Sequence, residues 1–214
     1  MNCKLVGQFV QHLEVTLDPG EHFYSERGAV IYMDAGIQMD STFNGSGLGR
    51  ILGAKLSGES LFILHVYNGS PMPKKVVFGS KFGLVPVKMN GETMVCHRGA
   101  YVASNNKMDV TTKLSITGFT GGMGLLLQKI TGHGTVFLDT IGTPITINLE
   151  PGRTIEVDED HIIALHRISD AQMQANWSLR NLFGGEGVSM LKITGPGTVY
   201  LSPGKPSAMF PPVG

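Results

Sequence analysis

Two cysteines, Cys3 and Cys96, with no Cys-x-x-Cys pair between them leave neither a disulfide framework nor a zinc knuckle to organise the chain. Charge is scarce as well, since Asp, Glu, Lys and Arg make up 16% of the sequence, against about 25% in ordinary domains. The 17 basic and 17 acidic residues cancel, so no net field gathers polyanions, and a sequence-independent binder of nucleic acid or acidic membrane is disfavoured. No apolar run approaches the length of a membrane span. The opening Met1-Asn2-Cys3-Lys4-Leu5-Val6-Gly7 carries one lysine and no apolar stretch of signal-peptide length. A reducing, cytoplasmic setting is the expectation. Glycine, by contrast, is abundant at 29 of 214 residues, roughly twice its usual share. Apolar residues at 42% suffice for a sizeable core, which excludes disorder for most of the chain. A surface so poor in charge is inclined to self-associate.

Apolar and polar residues alternate in many short stretches, such as Leu13, Val15, Leu17 and then Leu84, Val85, Val87, Met89, which is the period of strands. Fuller runs, Ala29-Val30-Ile31-Tyr32-Met33, Leu61-Phe62-Ile63-Leu64 and Ile162-Ile163-Ala164-Leu165, read as strands covered on both faces. Turn signals recur at Asp18-Pro19-Gly20, Asn68-Gly69, Asn90-Gly91, Glu150-Pro151-Gly152 and Thr194-Gly195-Pro196-Gly197, too closely spaced for helices between them. The triplets Asn44-Gly45-Ser46 and Asn68-Gly69-Ser70 read as turns and not as glycan acceptors. The chain is expected to be all-β. One segment competes locally, because Ser169 followed by Asp170-Ala171-Gln172-Met173-Gln174 has helix propensity; its place in the repeat described next predicts a strand instead.

Three blocks recur. Leu17-Asp18-Pro19-Gly20-Glu21, Gly28-Ala29-Val30-Ile31-Tyr32-Met33 and Ile37-Gln38-Met39-Asp40 match Met89-Asn90-Gly91-Glu92, Gly99-Ala100-Tyr101-Val102-Ala103 and Lys107-Met108-Asp109-Val110. They match again at Leu149-Glu150-Pro151-Gly152-Arg153, Asp160-His161-Ile162-Ile163-Ala164-Leu165 and Ala171-Gln172-Met173-Gln174. Each block reaches a glycine-rich stretch and a predicted closing hairpin, the last two being Ile130-Thr131-Gly132-His133-Gly134-Thr135-Val136-Phe137 and Ile193-Thr194-Gly195-Pro196-Gly197-Thr198-Val199-Tyr200. A unit of this size cannot bury its inner face alone, so three must share a core. The expected architecture is a single β domain over 1–204, with repeats at about 7–79, 80–148 and 149–204 around a pseudo-threefold axis and a loose Pro-rich tail at 205–214.

These blocks, above all Pro19-Gly20-Glu21, Gly28-Ala29-Val30-Ile31-Tyr32-Met33 and Ser57-Gly58-Glu59-Ser60-Leu61-Phe62, resemble the mitochondrial-biogenesis (altered inheritance of mitochondria) family of bacterial, archaeal and mitochondrial proteins. The resemblance runs from about Gly7 to Gly204. It implies a fold similar to the tryptophan RNA-binding attenuator protein, a short double-stranded β-helix unit occurring three times. It implies no catalytic residues to carry over, and its mitochondrial members are associated with inner-membrane organisation.

Reactive motifs give little. There is no Gly-x-Ser-x-Gly elbow, no His-Glu-x-x-His and no phosphate-binding Gly-x-x-x-x-Gly-Lys-Ser/Thr loop. Seven histidines raise a metal site, yet no His-x-His pair occurs, and His161 and His166 fall on opposite faces of an alternating strand. Whether His65, His97, His133, His161 and His166 converge is left to the tertiary structure. Asp158-Glu159-Asp160-His161 reads as a solvated turn. The glycine-rich stretches at 45–53, 118–127 and 182–188 are more informative, as loops whose apolar side chains, Leu48, Ile51, Leu52, Met123, Leu125, Leu126 and Phe183, either form a docking surface or tuck under as core. The expected function is a non-catalytic scaffold or protein-interaction module, self-associating and offering the loop end or a strand edge to a protein partner, with no cofactor, no metal and no nucleic acid. Membrane-surface contact finds no support in the charge. The alternative is a small-ligand binder with a pocket between repeats; RNA binding and a metal-dependent enzyme rank below both.

Overall fold

A computed structural model of the chain describes residues 1–43, 62–97, 99–114, 126–176 and 190–205. The described residues are nearly all β. The strands run β1 (Asn2–Val6), β2 (His12–Leu17), β3 (His22–Glu26), β4 (Val30–Met33), β5 (Ile37–Phe43), β6 (Phe62–Asn68), β7 (Lys74–Gly79), β8 (Gly83–His97) and β9 (Tyr101–Ser104). They continue as β10 (Asp109–Leu114), β11 (Leu126–Thr140), β12 (Ile145–Leu149), β13 (Thr154–Asp158), β14 (Ile162–His166), β15 (Met173–Asn176), β16 (Met190–Thr194) and β17 (Gly197–Leu201).

The chain divides into two compact units, Met1–Glu92 with Tyr101–Thr111 and Ile130–Asp139, and Thr93–Ala100 with Thr112–Lys129 and Thr140–Gly214. The first expected block lies in the first unit and the third in the second, whereas the middle block is shared between them. In the first unit, one antiparallel sheet is ordered β1-β2-β7-β4 and another β11-β9-β3-β6-β5. Alternation decides which side chains go in: along β2, Leu13, Val15 and Leu17 are buried while His12, Glu14 and Thr16 are not. They pack with Phe23, Val66, Val76, Phe78, Val102 and Phe137 into one core, where the rings of Phe23 and Phe78 lie 5.1 Å apart. The second unit builds its core from Val95, Leu149, Val157, Ile162, Leu165, Leu191, Ile193 and Val199, with strands ordered β12-β17-β14-β8 and β13-β16-β15.

The Pro-Gly signals are corners. Glu21 N donates to Asp18 O at 3.0 Å and Arg153 N to Glu150 O at 3.0 Å. Gly20 and Gly152 take φ of 81° and 80°, the i+2 conformation of a type II turn with proline at i+1. Each corner passes the chain from one sheet to another, since β2 pairs with β1 and β7 but β3 with β6 and β9, while β12 pairs with β17 but β13 with β16. Asn90-Gly91 differs from the expectation of a turn: it lies inside the continuous β8, where Gly91 at φ 97° bends the strand without reversing it. No proline precedes that glycine to open a turn.

The predicted closing hairpins are corrected in the same way. Ile130 to Phe137 sits within the single strand β11. Ile193 to Tyr200 spans β16 and β17, which pair with different strands and not with each other. At the step between them Gly195 N donates to Arg153 O at 2.9 Å, and a Cβ on Gly195 would meet Leu149 Cβ at 2.8 Å, so only glycine lets the chain cross here.

The run 30–33 is also corrected. Ile162 to Leu165 is buried throughout, as expected, but β4 is an outer strand with Ile31 and Tyr32 exposed, because β7 is its one neighbour among the described residues. Ser169 to Gln174 satisfies both of its competing signals. Ser169 and Gln172 form a capping box around a single 3-10 turn, Asp170–Gln172, and β15 follows at once.

Candidate functional site

The glycine-loop residues Leu48, Ile51, Leu52, Met123, Leu125 and Phe183 lie outside the described residues. Leu126 opens β11, but its side chain lies outside them too. The site that can be built comes from the first unit, beginning with two His-x-Tyr triplets, His22-Phe23-Tyr24 and His65-Val66-Tyr67. In a strand, residues two apart share a face. With Phe23 and Val66 buried, both histidines and both tyrosines therefore stand on the outer face. Antiparallel pairing of β3 with β6 then sets His22 opposite Tyr67 and Tyr24 opposite His65. β5 adds Gln38 beside Tyr67 and Asp40 beside His65.

His22 Nδ1 lies 2.7 Å from His65 Nε2. The two rings are nearly parallel, at 16° with centroids 4.9 Å apart. The hydrogen bond and two ring radii account for that separation, so the imidazoles meet edge to edge in one plane, one N–H donating to the other's lone pair. Tyr67 flanks His22 at 4.7 Å and Tyr24 flanks His65 at 5.1 Å. Desolvation holds the His65 pKa below its ordinary value, with the neighbouring His22 and Lys107 acting in the same direction and Asp40 opposing them. The row is thus a pair of facing imidazoles fenced by phenol rings.

The other histidines singled out in the sequence lie on separate elements. His97 ends β8, His133 lies on β11 against Gly91, and His166 is buried at the end of β14. His161 is not on the strand with His166 but in a 3-10 turn, Glu159–His161, where its Nδ1 donates to Ser202 O at 2.6 Å. The acidic run is a turn, as read from sequence. Asp160 N donates to Asp158 Oδ1, and Lys205 Nζ lies 2.7 Å from Asp158 Oδ2 and 3.6 Å from Asp160 Oδ2. Among the described residues no three or more His, Cys, Asp or Glu gather in a way that would hold a metal ion. His22 was the partner that sequence reasoning missed. The repeated His-x-Tyr triplet was the available signal, but nothing local pairs strands 43 residues apart.

A second surface feature of this unit is apolar. Gln11 pins the loop after β1, donating from its N to Phe82 O at 2.6 Å and accepting at its carbonyl from Ser80 Oγ at 2.6 Å. That leaves Phe9 90% exposed and Val10 55% exposed. On the other side of Gly79–Ser80 stands β4, where Ile31 rests on Gly79 yet is 61% exposed and Tyr32 is 50% exposed. Ile31 is the bulged residue of the β4–β7 pair, between Val30 opposite Phe78 and Tyr32 opposite Val77.

Comparison with known proteins places these features in context. Residues 3–204 match the family described as Mitochondrial biogenesis AIM24. An uncharacterised protein of Streptococcus pyogenes serotype M6 is 25% identical over 199 residues, covering 88% of this chain and 79% of that protein. The X-ray crystal structure of a Streptococcus pyogenes protein superposes with a TM-score of 0.71 at 22% identity, over 97% of this chain and 95% of that one.

Proposed function

The chain belongs to the mitochondrial biogenesis AIM24 family, and we propose that within it this protein is a non-catalytic β scaffold that associates with a second copy of itself through the outer edge of β4. One observation carries the reading: Phe9, Val10, Ile31 and Tyr32, four large apolar side chains each at least half exposed, flank the same Gly79–Ser80 end of β7. Burying such residues is worth about 25 cal/mol per Å² of apolar surface, and clusters of them mark interaction sites on soluble proteins. An outer strand adds backbone donors and acceptors that a second β4 can meet antiparallel, which makes a closed, self-complementary contact. The zero net charge adds no repulsion between copies. Free thiols at Cys3 and Cys96 suit a reducing compartment, the cytoplasm in this reading. Among the described residues, no helix is long and apolar enough to cross a membrane.

The test is sedimentation velocity on the parent chain and on a variant carrying Phe9→Ser, Ile31→Ser and Tyr32→Ser. The parent should sediment as an oligomer and the variant at the monomer mass, with an unchanged far-UV circular dichroism spectrum. A monomeric parent, or a variant that assembles normally, counts against the reading. A variant with Leu48, Ile51, Leu125 and Leu126 changed to Ser distinguishes the glycine loops, because loss of assembly there alone would move the contact away from β4.

A further inference from the structure

The facing imidazoles have no part in the edge contact just proposed, and they stand independently of it. Two histidine nitrogens, His22 Nδ1 and His65 Nε2, point at one another across 2.7 Å in a common plane. Held by one proton, they form a hydrogen bond; with the donor ring in its other tautomer, that proton carried on the far nitrogen, both present lone pairs to the same gap, which is what a borderline divalent cation takes from neutral imidazole. A tetrahedral zinc ion with Zn–N bonds of about 2.0–2.1 Å needs its two nitrogens about 3.3 Å apart. The gap therefore has to open by about 0.6 Å, and the rings have to turn so that their lone pairs meet at the tetrahedral angle and no longer head-on. His22 can supply that movement, because it is exposed, with Tyr67 flanking it at 4.7 Å. His65 is the fixed partner, half-buried between strands and backed by Tyr24.

Charge around the pair acts both ways. Asp40 is directly across from His65 on β5 and is exposed, so its carboxylate can swing to the ion as a third ligand or compensate its charge through water. Lys107 opposes a cation, since its ammonium already acts on His65 in the sense that disfavours positive charge there. As the side chains stand, no third ligand is in place among the described residues, which leaves the remaining positions to Asp40 or water.

We propose that the His22–His65 pair is a binding site for a borderline divalent cation such as Zn2+, held by His22 Nδ1 and His65 Nε2, with Asp40 in reach and water completing the coordination. The donor ring takes up the tautomer protonated on its other nitrogen, so the neutral pair loses no net proton on binding, and binding weakens as pH falls because protons compete for the imidazole nitrogens. Zn2+ alone, titrated at pH 7.5 into the full-length chain, tests this by calorimetry and by NMR of the histidine rings. A Cys3→Ser background removes the exposed thiol as a competing ligand. One saturable site is expected, with the His22 and His65 ring signals shifting together. His22→Gln and His65→Gln should each weaken binding by about tenfold or more, and the double variant should be little worse than either single one, since one imidazole cannot chelate. Lys107→Ala should tighten binding, and His133→Ala should leave it unchanged. Folding of each variant is checked by circular dichroism. Absence of saturable binding to the background chain, or full affinity in either Gln variant, overturns the proposal.

Discussion

At the scale of single residues, the buried polar groups set the terms. Asn68 is fully buried, yet its Nδ2 donates to Leu17 O at 2.8 Å and Met72 O at 2.9 Å, while its Oδ1 accepts from Ser70 N at 3.0 Å and Ser70 Oγ at 2.8 Å. Reading Asn68-Gly69-Ser70 as a turn anticipated the last two bonds, which are local, but not the first, which crosses 51 positions. Asn68→Ala leaves the carbonyl of the buried Leu17 without its Asn68 donor and should cost about 1–3 kcal/mol in urea unfolding. Asp139 acts in the opposite direction. Burial pushes its carboxyl up to about 6, against the pull of Lys81, whose backbone N–H donates to Oδ1 at 2.9 Å and whose ammonium lies 3.9 Å from Oδ2. A folded-state pKa above the unfolded value of 3.8 means that the native chain holds this proton more tightly. The associated stability is complete below the unfolded pKa and is lost as pH rises through about 6. Asp139 should therefore lower stability by about 2 kcal/mol between pH 4 and 7.5. In Asp139→Asn, which keeps the acceptor for Lys81 N–H, that part of the pH dependence should vanish from denaturant midpoints.

At the scale of elements, the Pro-Gly corners mark where the chain changes sheets. Gly20, Gly91 and Gly152 stand at matching places in the three blocks and all take positive φ, between 80° and 97°. Two of them close type II turns behind a proline, and the third bends one long strand. Sequence reading located all three, because a Pro-Gly or Asn-Gly pair acts over four residues. It misjudged the middle one, because whether a bend becomes a reversal depends on where the following strand finds its partner, and Met94 to Cys96 pairs with β14. Gly91→Ala probes this element. The side chain would have to hold φ near 97° and would meet the His133 ring at 2.8 Å, so a loss of about 1–3 kcal/mol is expected in thermal or urea unfolding. His133→Ala on the Gly91→Ala background should recover part of it by removing the clash but not the backbone strain. The outer position of β4 belongs to this scale as well. Ala29 to Met33 is as apolar as Ile162 to Leu165, but Ile31 and Tyr32 stand exposed at the bulge of an outer strand, whereas β14 is paired on both sides.

At the scale of the whole molecule, neither unit is a continuous piece of chain. The first needs Tyr101–Thr111 and Ile130–Asp139 in addition to Met1–Glu92, and these return Val102, Ala103 and Phe137 to its core. A fragment ending at residue 92 therefore lacks β9 and its part of β11, leaving β3 with an open side and Phe23 without the Phe137 ring at 6.3 Å. Such a fragment should lack the dispersed amide NMR spectrum of a folded β protein, whereas the full chain should have one. A well-folded fragment would mean that the first ninety residues carry a complete core.

Alternation along β2 and β8, the Pro-Gly corners and the local helix signal after Ser169 were legible from residue order, since each depends on contacts within a few positions. Which strand lies beside which was not. The meeting of His22 with His65, the exposure of Ile31 and the sharing of the middle block between two cores all follow from pairings across tens of residues. Many alternating strands of similar composition can make such pairings equally well in local terms, and only the joint packing of Phe23, Phe78, Phe137 and their neighbours selects among them.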